Sequence, residues 1–78
     1  MTDPITDAAR FGAIIAARRK DMRLTQDQLA RLVGCSRPTI VQTEQGATMP
    51  RLGLALRLMS ELRLKTEDVI EGIGDDPD

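Results

Sequence analysis

The sequence predicts an all-α domain, a compact bundle of five short helices, on three observations. The stretch from Thr25 to Gly46 reads as two short helices with a tight corner between them. Apolar residues upstream and downstream recur at helical rather than alternating spacing. The chain is 78 residues long with one Phe and no Trp or Tyr, so one small core must be filled by Leu, Ile, Val, Met and Ala.

The first helix is expected from Asp7 to about Met22, with Thr6 as its cap and Phe11, Ile14, Ile15, Arg18 and Met22 at helical spacing. Asp7 in its first turn, and Arg19 and Lys20 near its end, suit the helix dipole. The second helix runs from Gln26 to about Val33. Thr25 caps it, and Gln28 three residues on completes a capping box. Leu29, Leu32 and Val33 are assigned to the core. Gly34 stops the helix where left-handed backbone is tolerated.

Ser36 caps the third helix, from Arg37 to about Gln45, and Pro38 lies in its first turn, where a missing N–H does least harm. Ile40 is its core residue, and Gly46 ends it. Pro50 closes a loop from Ala47. A fourth helix follows from about Arg51 to Leu62. Its apolar set of Leu52, Leu54, Ala55, Leu56, Leu58, Met59 and Leu62 exceeds one stripe, so part of it is expected to await a partner. Thr66 caps a last short helix from Glu67 to Glu71, with Val69, Ile70 and Ile73 inward. The domain is placed at residues 7–73, after a flexible segment at 1–6 and before a disordered acidic tail at 74–78. Two helices joined as tightly as the second and third match the helix-turn-helix signature.

Composition narrows the function. There is no histidine, and no pair of carboxylates lies in an apolar setting that would tune one as an acid, so an enzyme is not expected. The single cysteine, Cys35, forms no disulfide within the monomer and suits a reducing compartment; it reads as a small packing residue. No metal or other cofactor is expected. No apolar run reaches membrane-spanning length, which points to a cytoplasmic protein. Net charge is −1, yet the charge is segregated. Residues 10–57 hold nine basic and three acidic groups, while residues 58–78 hold two basic and seven acidic ones. A basic face is therefore compatible with an acidic chain.

The fragments LTQDQLARLVGCSRPTI and EQG, the PRL at 50–52 and the spacing of FGAIIAARR, LALRLMSEL and EDVI together resemble the phage-repressor and Cro-like helix-turn-helix family, also called Xre, over about residues 8–71. The resemblance implies five helices, a third helix that enters the DNA major groove, and two copies on a palindrome. It implies base reading by Arg37, Pro38, Val41 and Gln42, and phosphate contact by Gln26, Thr48 and Arg51. Ser36, Thr39 and Gln45 are added to the phosphate set. It pairs Arg19 with Glu44 as a structural ion pair. Several positions depart from the family. Pro38 replaces a hydrogen-bonding residue, so its contact is apolar or absent. Thr43 stands where a larger apolar residue is usual. Arg23 and Arg63 replace glycines, with strain expected at the first.

Arg37 offers a planar fork that fits the O6 and N7 of guanine, worth about 1–3 kcal/mol of discrimination, or else a phosphate. Gln42 donates and accepts at once, as adenine requires. Val41 either packs on a thymine methyl or completes the core edge. Arg51 lies at a helix start, where a cation is unfavourable, which favours a bound anion. Leu54 and Leu58 are the candidate contacts between two copies. The expected function is a DNA-binding transcriptional repressor acting as a homodimer on double-stranded DNA. The alternative is an antitoxin, or another regulator that grips a partner protein such as a toxin.

Overall fold

The computed structural model describes residues 4–72, and side chains between Asp7 and Val69. Its five helices are α1 (Pro4–Asp21), α2 (Gln26–Val33), α3 (Arg37–Glu44), α4 (Leu52–Glu61) and α5 (Thr66–Gly72). The inward placement expected for Ile70 and Ile73, and the tail at 74–78, lie outside the described residues. No described helix is long and apolar enough to cross a membrane.

Local sequence accounts for most of the ends. Thr25 Oγ1 accepts from the Gln28 backbone N–H at 3.0 Å, and Gln28 Oε1 accepts from the Thr25 N–H at 2.8 Å, closing the expected capping box. Ser36 Oγ accepts from the Thr39 N–H, and Pro38 occupies the first turn of α3. Two starts differ from the sequence reading. Helix α1 begins at Pro4, before Thr6, because proline is pre-set for a first turn. Thr66 is the first residue of α5, not its cap. Lys65 precedes the helix, and its N–H donates to Asp68 Oδ2 at 2.9 Å.

Three helices stop with one reciprocal pair of bonds, and α2 with a related one. After α1, Leu24 N–H donates back to the Arg19 carbonyl and Arg23 N–H to that of Lys20. The same reciprocal pattern follows α3 at Gly46 and Ala47, and α4 at Arg63 and Leu64. After α2, Gly34 and Cys35 both donate to the Ala30 carbonyl. Each stop needs one left-handed residue. Two are glycines, Gly34 (φ 78°) and Gly46 (φ 74°); the other two are Arg23 (φ 60°) and Arg63 (φ 55°). The arginines that depart from the family pattern thus sit in backbone that glycine enters more cheaply.

The core gathers Phe11 and Ile15 from α1, Leu29, Ala30 and Val33 from α2, Ile40 from α3, Ala55, Leu58 and Leu62 around α4, and Val69 from α5. Helix α1 packs on α3 and α5, and α2 packs on α3 and α4. Leu32 does not join the core; it is 51% exposed on α2, and Met22 is also exposed. Thr43 is buried, and its hydroxyl donates to the Thr39 carbonyl at 2.8 Å, so the polar atom is satisfied inside α3. At the α1–α3 crossing Gly12 leaves no room for a side chain, since a Cβ would overlap the Thr43 carbonyl oxygen. A Cβ on Gly46 would lie 2.6 Å from the Cα of Ala9. The two backbones therefore meet directly.

Candidate nucleic-acid interface

The helix-turn-helix corner is held by one buried polar cluster. Arg19 donates from Nε to Glu44 Oε2 at 2.6 Å and from Nη2 to Oε1 at 3.1 Å, and from Nη1 to the Leu24 carbonyl at 2.7 Å. Both side chains are nearly buried, so the pair is bidentate and largely shielded from water. Gln26 adds a fourth bond, from Nε2 to Glu44 Oε1 at 3.1 Å. The start of α2, the end of α1 and the end of α3 are thereby tied at one carboxylate. Gln26, expected at a phosphate, has one amide N–H engaged on Glu44, and its side chain is half-buried. The second N–H of that amide and the backbone at the α2 N-terminus remain for an anion.

On the outward side of α3, Arg37, Pro38, Val41 and Gln42 line one shallow depression together with Gln45. Arg37, Pro38, Gln42 and Gln45 are exposed and Val41 is half-buried, so one helical face presents a fork of donors, an apolar step and two amides. Gln45, placed by sequence among the phosphate contacts, shares this face. Thr48 and Arg51 line a neighbouring groove with Thr39, Gln42 and Leu54, between α3 and the start of α4. Arg51 precedes α4 without a side-chain cap bond, leaving first-turn N–H groups of α4 beside an exposed guanidinium. Ser36 and Thr39 hydroxyls pair with each other at 2.9 Å, which occupies part of both at the α3 N-terminus.

The candidate contacts between copies divide. Leu58 is fully buried in the core, so it offers no surface; the apolar crowding of α4 left its rotation undetermined by sequence. Leu54 is half-buried against the core. The exposed apolar residues of this region are Leu52 at 74%, Leu56 at 54% and Met49. Two arginines that the sequence leaves undistinguished are also structural. Arg57 donates to the Val33 carbonyl at 3.4 Å, and Arg18 to that of Leu62 at 3.3 Å. Each satisfies a carbonyl at a helix end and is partly withdrawn from any basic face. Burial pushes the Cys35 thiol up from its ordinary range, as suits a packing residue rather than a reactive one.

Residues 10–71 match the family model described as a helix-turn-helix domain. This chain belongs to that family. The helix-turn-helix domain is 42% identical over 57 residues to an uncharacterized HTH-type transcriptional regulator of Methanothermobacter thermautotrophicus, covering 72% of this chain and 83% of the relative. A regulator of the same description from Methanocaldococcus jannaschii is 41% identical over 46 residues, or 59% of this chain and 70% of that one. Among solved structures, the restriction-modification controller protein C.AhdI from Aeromonas hydrophila superposes with a TM-score of 0.74 at 27% identity, covering 81% of this chain and 96% of that chain. The clp gene regulator ClgR from Corynebacterium glutamicum gives 0.78 at 21% identity, covering 85% and 70%, and supports the fold alone. The domain has the all-helical, phage-repressor-like fold that the LTQDQLARLVGCSRPTI stretch implies, and it is a regulator-type domain rather than an enzyme.

Proposed function

We propose that this helix-turn-helix domain is a sequence-specific transcriptional repressor that binds double-stranded DNA in the cytoplasm as a homodimer on a palindromic operator. The observation that carries the reading is the shared outward face of Arg37, Pro38, Val41 and Gln42 on α3. A helix enters the major groove readily, and these side chains supply a donor fork, an apolar surface and a donor–acceptor amide for base edges. Thr48, Arg51 and the start of α4 adjoin that face and suit a phosphate. The regulators to which the chain is similar support transcriptional control. Exposed Leu52, Leu56 and Met49 support pairing of two copies.

Selection of bound fragments from a random DNA library, at about 0.15 M salt, tests the reading. An enriched palindrome with half-sites about one helical turn apart is the expected result. No enrichment by folded protein overturns it.

A further inference from the structure

A second surface lies away from α3 and uses none of its residues. Leu32, exposed on α2, joins two adjoining depressions that run from the end of α1 to the C-terminal half of α4. Met22 and Leu24 extend the apolar floor at one end. Arg18, Arg57 and Arg63 border the groove, with Arg31 at its edge paired to Asp27 at 3.1 Å, and Glu61 is the one acid lining it among the described residues. The carbonyl bonds of Arg18 and Arg57 hold two of the guanidinium groups at the wall while leaving further N–H donors on each. Arg63 is the resident of a left-handed turn, where glycine is cheaper.

We propose that this groove docks an acidic peptide segment of a partner protein. An apolar residue of the segment rests on Leu32 and Met22, and its flanking carboxylates meet Arg18, Arg57 and Arg63. Charge selects this occupant. A second copy set face to face by a two-fold axis would bring arginine cluster against arginine cluster. A nucleic-acid backbone would satisfy the arginines but leave the apolar floor uncovered.

The test is selection from a random peptide library by the whole chain, followed by NMR titration with a selected peptide. Peptides carrying Asp or Glu around a large apolar residue are expected. Signals of Met22, Leu32, Arg57 and Arg63 should shift, while those of Arg37, Val41 and Gln42 stay still. Arg63→Gly should weaken peptide binding about fivefold while raising the melting temperature, which separates docking from folding. Leu32→Ser should weaken it too, without unfolding the chain. The proposal fails if no peptide is enriched, if the enriched peptides lack acids, if the shifts fall elsewhere, or if Arg63→Gly binds as before. It also fails if deleting residues 73–78 uncovers the groove, for then the chain's own acidic end is the occupant.

Discussion

Arg23 and Arg63 take a left-handed conformation that costs an L-residue with a side chain about 1–2 kcal/mol. Neither Arg23 nor its turn uses the side chain in a hydrogen bond among the described residues, since the two stop bonds are made by backbone. Arg23→Gly should therefore stabilise the fold by about 1 kcal/mol, less the entropy glycine adds to the unfolded chain. For a chain of this size each net 1 kcal/mol is a rise of about 4–8 °C, so an increase of a few degrees is expected in thermal unfolding. Arg19 lies at the opposite extreme. Arg19→Ala leaves the Glu44 carboxylate buried with only Gln26 beside it, and a loss of about 3–5 kcal/mol is expected in urea unfolding. An unchanged midpoint would show that the pair is dispensable. Part of this scale was legible in sequence. The Thr25–Gln28 box and Ser36–Pro38 start involve neighbours within three residues, so the residue types suffice. The partners of Arg18 and Arg57 were not legible, because each reaches a carbonyl on another segment of the chain.

At the scale of elements, the junction of α1 and α3 is set by absence of side chains. Gly12→Ala should force the helices apart, because the new methyl meets backbone carbonyls that cannot rotate away. A cost of about 1–3 kcal/mol is expected from denaturant titration. Nothing in the local pattern marks Gly12, which reads simply as a weak helix former inside α1; its reason lies 31 residues away, at Thr43. Leu32 and Leu58 teach a related lesson. Leu58 lies on a helix whose apolar residues cover more than one stripe, and Leu32 at the edge of the α2 stripe, where a small rotation decides burial. Only packing against α1, α3 and the rest chooses the rotation that buries Leu58 and exposes Leu32. The outward face of α3 was read from resemblance and helical spacing, and the structure does gather its four members. On the proposed function, Arg37→Ala should change base preference, whereas Arg51→Ala should weaken every site about equally. Titrations on matched and altered operators distinguish them; an equal loss for Arg37→Ala on every sequence would remove it from the reading set.

For the whole molecule, dimensions bear on the proposed pairing. The domain measures 21 and 20 Å across its two shorter axes. Two copies set about 34 Å apart, one turn along a duplex, are close enough for protruding apolar side chains to meet between them. Leu52 and Leu56, four residues apart on α4, share a helical face that projects into solvent. Leu56→Lys should shift sedimentation toward monomer and weaken operator binding, with little change in melting temperature; a monomer in both forms, with and without operator DNA, would refute pairing. The charge pattern was visible at this scale from sequence, but its use was not. Of the basic groups in residues 10–57, Arg18, Arg19 and Arg57 serve the fold, and the field available to a duplex is smaller than the count suggests.

The meeting of backbones at Gly12 and Gly46 separates two jobs within α3. Its inner side is clamped by main chain and by Ile40 and Thr43, so its posture owes little to Arg37, Gln42 or Gln45 on the outer side. Those positions form an exchangeable set, like type held in a fixed frame. A lineage, or an engineer, can recompose them together to address a different operator while the frame that carries them stays intact.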